Sequence, residues 1–207
     1  MKKIPKYLEN SVWNKDIISD PYQTIAEFFS AASLIDYRKD IRKIVRYAFS
    51  ERAWEKDNPA DILYRFNQLE KILNAAYLVN KEEKDSPLEI SQSDVFNPNL
   101  FCGWIKGHSE WEYLPRMLSF KEYKNPYLAL KRIFEFKKLF YWKDLLKMFS
   151  EFVFTNQSIE FESLESYRCI DVYVHLTKLV EAVHLIDVRE VNHIGGNIKN
   201  RIPIRKF

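Results

Sequence analysis

DPYQTIAEFFSAASLIDYRKDIRKIVRYAFSERAWEKDNPADILYRFNQLEKILNAAYLVN, residues 20–80, reads as three amphipathic helices in a row. Asp20-Pro21 opens the first: Asp is a strong N-cap, and proline at the first helical position gives up no hydrogen bond. Ile25, Phe28, Phe29 and Ala32 then give one apolar face. Ser33 caps a second helix, on which Leu34, Ile35, Tyr37, Ile41, Ile44, Val45, Ala48 and Phe49 recur at helical spacing. Ser50 to Asp57 is a polar break around Trp54. Asn58-Pro59 repeats the cap-plus-proline signal and starts a third helix through Ile62, Phe66, Leu69, Leu73, Ala76 and Val79.

A blurred copy follows at residues 125–187. Pro21-Tyr22 falls on Pro126-Tyr127, Phe29 on Phe134, Leu34 on Leu139, Tyr37 on Trp142, Arg38 on Lys143 and Arg42 on Lys147, all without a gap. After a two-residue insertion, Leu69–Asn80 falls on Leu176–Asp187. Asn125-Pro126 again opens the series. Shared helical period forces apolar on apolar, but it does not force the same caps, the same helix order and matched basic positions. The expected fold is therefore all-α, a helical bundle built by internal duplication of a three-helix unit. The expected organisation is a first unit at 1–85, an aromatic-rich irregular connector at 86–111, a second unit at 112–194 and a basic tail at 195–207. The fourth helix runs on from residue 125 through 155, with or without a kink, and the last spans about 163–191, stopped by Gly195-Gly196.

Composition agrees. Of 207 residues only four are glycine, which suits long helices rather than a turn-rich sheet protein. Aromatics reach 15%, which fits either a Phe- and Tyr-based core or the lining of a partner groove. The bias to Lys, Ile and Asn fits an AT-rich bacterial genome. A net charge of +3 permits a nucleic-acid partner without arguing for one. Cys102 and Cys169 form no metal or disulfide pattern and fit a reduced, cytoplasmic setting. The start, MKKIPKYLENSVW, lacks the apolar run of a signal peptide, and no apolar stretch is long enough to span a membrane.

Several constellations qualify as candidate sites. Arg38, Arg42 and Arg46 lie at i, i+4 and i+8, and Lys143 with Lys147 echoes them; together they are candidates for gripping nucleic-acid phosphates. The connector FCGWIKGH (101–108) holds Cys102 and His108, a conceivable nucleophile and base, and Phe101 and Trp104, candidates for partner binding. On the last helix His175, His184 and His193 stand nine residues apart, so neighbours point to opposite faces. Glu181 and His184 have the Glu-x-x-His spacing of di-iron bundles, but such sites need a second copy on another helix, and Asn74 and Tyr77 stand at the duplicate positions. His184 is expected to be partly exposed between Glu181 and Asp187. Arg168 and His175 are loosely similar to the Arg-x(4–6)-His pattern of HEPN ribonucleases. Seven positions put both on nearly one helix face, although Cys169 replaces the polar residue that usually follows the arginine.

No dinucleotide, P-loop or nucleophile-elbow motif is present. Without a coherent catalytic set, the sequence favours a non-enzymatic helical interaction protein. It would need no cofactor and would bind a protein partner or itself. A nucleic-acid-binding accessory role on the basic stripes, and an enzyme on the last helix or connector, are the alternatives.

Overall fold

A computed structural model describes residues 18–82, 90–103, 108–159 and 169–190, with backbone alone at 192–194 and 197–199. It holds seven α-helices packed together: α1 (Pro21–Ala31), α2 (Leu34–Ala48), α3 (Pro59–Lys81), α4 (Phe120–Lys124), α5 (Pro126–Phe136), α6 (Leu139–Phe152) and α7 (Cys169–Glu190). A small antiparallel pair, β1 (Asn192–Ile194) and β2 (Asn197–Lys199), follows. Gly-Gly between the two strand sequences is a hairpin signal as well as a helix stop; only the second meaning entered the expectation.

The caps form as their residue types dictate. Asp20 accepts from the Tyr22 and Gln23 amides at 2.9 and 3.2 Å, Asn58 from Ala60 at 2.9 Å, and Asn125 from Tyr127 at 3.1 Å. Ser33 and Asp36 close a reciprocal capping box at the start of α2. Each such cap stabilises its helix by about 1 kcal/mol. The expected run from 125 to 155 divides at Lys137-Lys138 into α5 and α6, where the backbone turns extended. The short α4 was not expected, although Ser119-Phe-Lys-Glu122 spells a capping box.

α1 packs on α3 and α7, while α5 packs on α7 and α3; α2 packs on α7 and α6, while α6 packs on α3 and α2. Each second helix thus lies against the long third helix of the other half. α7 is the hub, with Val180, Ala182, Val183, Leu185 and Ile186 fully buried. Backbone bonds knit the breaks together across the halves: the Trp54 amide donates to Val153 O at 2.8 Å, and the Ile159 amide donates to Ala48 O at 3.0 Å.

The described part of the connector, 90–103 and 108–111, is irregular apart from 3-10 turns and places Ile90 and Phe101 in the core. That corrects the expectation for Phe101. At 2% exposure it faces inward and offers no docking surface. At Gly103 an added Cβ would sit 2.9 Å from His184 Cε1, so the backbone's approach to that ring requires glycine. Trp104 and Arg168 lie outside the described residues, as does the side chain of His193.

Candidate functional site

The arginine spacing of α2 decides its chemistry. Four residues advance an α-helix by about 40° beyond a full turn and eight by about 80°, so Arg38, Arg42 and Arg46 do not share one line. Arg42 and Arg46 are exposed and make no ion pair among the described residues. Arg38 is rotated inward. It is 8% exposed, and its Nη2 lies 2.6 Å from Glu181. The stripe therefore contributes two outward cations, not three. In the second half Lys143 is turned to Glu70 at 3.2 Å, and Lys147 is exposed.

Arg42 and Arg46 stand on the wall of a cleft of about 1040 Å³ formed by the α1–α2 elbow, α2 and the first half of α3. α3 presents Asp61, Tyr64, Arg65 and Gln68 to it, a single helix face at i, i+3, i+4 and i+7. Tyr64 is 53% exposed. Inside, Arg65 is paired with Asp40, Lys43 reaches Asp57 at 3.3 Å, and both cations lie over the Trp54 ring, at 5.8 and 5.3 Å. Lys39 sits 3.8 Å from Asp36. Burial pushes Asp40 up from its usual range, against the pull of Arg65 and Lys43. Tyr37, at the back, is stacked on Phe28 at 3.7 Å and donates to Phe28 O at 2.7 Å; burial holds its phenol protonated.

At the α5–α6 corner stand Phe136, Lys137 and Tyr141. His175 stacks on Phe136 at 4.1 Å and 9°, and lies 5.9 Å from Trp142.

A second polar cluster lies in the interior along α7. Glu181, fully buried, takes Arg38 and also the backbone amides of Arg116, Met117 and Leu118, at 2.8, 2.9 and 3.2 Å. Arg38 spends its remaining donors on Glu112 O and Leu114 O at 2.6 and 2.8 Å. The carboxylate that the Glu-x-x-His spacing marked as a metal ligand is thus saturated by hydrogen-bond donors. His184 is buried, not partly exposed as expected. It is enclosed by Phe29 and Tyr113, and its Nε2 is 3.2 Å from Phe101 O. Burial lowers its pKa to about 3, so the ring is neutral. His175 and His184 stand on different sides of α7, as their spacing requires. Asp187 is 4% exposed, burial raises its pKa to about 8, and its Oδ1 has no hydrogen-bond partner. Arg189 donates to Leu100 O and Tyr123 O at 2.7 and 2.8 Å.

Glu122 forms another buried node, with Arg132 at 2.9 Å and Lys178 at 3.0 Å. Burial alone would raise its pKa, but bonds from Ser119, Arg132 and Lys178 outweigh it and bring the value to about 2. This node ties α4, α5 and α7 together. In the connector, His108 Nδ1 pairs with Glu112 at 3.2 Å. No hydrogen bond joins Cys102 to His108 among the described residues. Burial, helped by Glu110, pushes the Cys102 thiol up, away from the thiolate a nucleophile needs.

No residue cluster with the ligand types for a metal ion occurs among the described residues, and no described helix is long and apolar enough to cross a membrane. Tyr64 and Asp61 were not among the sequence candidates; the one signal for Tyr64 was an aromatic on the polar side of α3, three residues from the capping turn. Comparison of the chain with protein-family models, curated proteins and solved structures gives no match.

Proposed function

We propose that the protein is a non-catalytic binding module that holds an anionic partner in the α1–α2–α3 cleft. The observation that carries this reading is the pair Arg42 and Arg46: exposed, one turn apart, on a concave wall, and without an acidic partner among the described residues. Other described cations at the cleft already have acids beside them; these two are left for a ligand. Titration with inorganic tripolyphosphate at low and moderate salt tests it. The double variant Arg42→Glu, Arg46→Glu is expected to weaken binding at least tenfold with its thermal midpoint unchanged, since both side chains are on the surface. Binding that the variant leaves intact would overturn the reading, as would a wild-type affinity insensitive to salt.

A protein partner is supported by a separate observation. Phe136, Phe140 and Tyr141 are 40, 60 and 49% exposed at the α5–α6 corner, with Lys137 over two of these rings. If copies of the chain meet there, sedimentation shows a concentration-dependent mass that Phe140→Lys abolishes. A monomer mass at every concentration removes this second reading.

We also infer that the two halves descend from one duplicated three-helix unit. In support, α1 and α5 are both 11 residues long, and their first residues, Pro21 and Pro126, lie 105 positions apart. Tyr37 donates to Phe28 O, and Trp142, 105 positions on, donates to Ile133 O. The exchanged backbone bonds of Trp54 and Ile159 obey the same offset.

A further inference from the structure

We propose, building on the anionic-cleft reading, that the ligand of the cleft is a nucleoside phosphate, with its phosphates on Arg42 and Arg46 and its base stacked on Tyr64.

The lining is not uniformly basic, and that decides the class of anion. Asp61 lies on the same α3 face as Tyr64 and makes no ion pair among the described residues. A polymer bearing a carboxylate on every residue would bring like charge against Asp61 at some point along the cleft. A nucleoside brings hydroxyl groups instead, and a carboxylate accepts from hydroxyls. The arrangement of guanidinium donors at one place, a carboxylate acceptor at another and an exposed ring between charged residues matches the three chemically distinct parts of a nucleotide: phosphate, sugar and base. Arginine presents a fork of donors suited to phosphate oxygens. Every base has a π-face, so one tyrosine ring serves any base without reading its identity. The volume, about 1040 Å³, is at the upper end for a small-ligand site. The small residues of the lining are Ala31 and Ala32, and the ring of Tyr64 stays more than half exposed. The same chemistry is offered by a free nucleotide and by one nucleotide of a single strand.

Calorimetric titrations with ATP, UTP, inorganic tripolyphosphate, oligouridylate and a polyglutamate peptide test the proposal on wild type, Tyr64→Ala, Tyr64→Phe and the double variant Arg42→Glu, Arg46→Glu. The expected result is that the nucleotides bind about tenfold or more tighter than tripolyphosphate. Tyr64→Ala removes that advantage, and Tyr64→Phe, which keeps the ring, restores it. Oligouridylate binding that far exceeds UTP assigns the site to a strand; equal affinity per site assigns it to the free nucleotide. Both outcomes support the proposal. Equal binding of tripolyphosphate and nucleotides, unaffected by Tyr64→Ala but lost in the arginine variant, overturns the nucleoside inference and leaves the anionic cleft standing. Preferential binding of polyglutamate also overturns it. If no anion binds, or if the arginine variant binds as wild type does, both readings fail together.

Discussion

Replacing Glu181 with alanine is expected to lower the thermal midpoint by about 10 °C or more, the largest fall of any single substitution considered for this protein. The carboxylate is fully buried and neutralises Arg38, which is almost as deeply placed. Removing one partner of such a pair leaves the other charged and unsolvated, at a cost of about 3–5 kcal/mol. Here the loss spreads further, because three consecutive backbone amides, from Arg116 to Leu118, also end on Glu181. These amides are only partly buried, so water takes over part of what they lose, and each adds less than the ~1–3 kcal/mol of a fully buried unpaired N–H. Glu181→Gln keeps an acceptor and is expected to fall between alanine and wild type. Arg38→Met combined with Glu181→Gln should cost less than the two single changes added, because no charge is then stranded. The check is thermal and denaturant unfolding of wild type, the three single variants and the double variant. An alanine variant within about 1 kcal/mol of wild type, well under the usual cost of breaking a buried pair, would show that Glu181 does not hold α2 and the 116–118 segment to α7.

Asp187→Asn is expected to stabilise the protein at pH 8 while leaving it nearly unchanged at pH 4. The carboxyl of Asp187 has a folded pKa of about 8, raised by burial, against about 3.9 in an unfolded chain. Between those values the folded state holds one proton more than the unfolded state. Stability therefore falls as pH rises through the window, by up to ~1.4 kcal/mol per pH unit. His184 acts in the opposite sense. Its pKa, lowered to about 3 by burial, sits below an unfolded value of about 6.5, so its contribution is lost as pH falls through that range. The two slopes cancel between about pH 4 and 6.5, leaving a plateau. Above it Asp187 acts alone and stability declines toward pH 8. Below it His184 is joined by Glu122, whose pKa of about 2 means that its stabilisation fades as pH drops from about 4.3. In the asparagine variant the decline above pH 6.5 should vanish. Thermal midpoints of both proteins from pH 4 to 9 decide the matter; parallel curves would mean that Asp187 is ionised in the folded state.

The parts of this architecture that were legible in the sequence are local. Asp20, Ser33, Asn58 and Asn125 each bond an amide two or three residues away, so four consecutive letters contain the whole interaction. Apolar periodicity then gave the helices their inner faces. What was not legible depends on distance. Nothing around Arg38 announces a carboxylate 143 residues on. The angular drift of about 80° between Arg38 and Arg46 was available, however, and it would have separated the buried arginine from the exposed pair. His184 was misplaced for a related reason. Glu181 and Asp187 beside it look like a wet surface, yet one is neutralised by α2 and the other is protonated. The cleft was not legible because its lining comes from three helices, and only their packing brings Ala31, Arg42 and Tyr64 around one concavity.

The position of α7 in the bundle also sets an order of events. α1, α2, α3 and α5 all lie against a helix that the ribosome makes after every one of them. Until residues 169–190 emerge, Arg38 lacks its counter-charge, and α1, α2, α3 and α5 can close only on one another and on α6. Local helix formation is fast, but the long-range contacts that lock it in come last. The sides of these helices that face α7 therefore stay uncovered until α7 is made, and a chain truncated before residue 169 is expected to lose the fold.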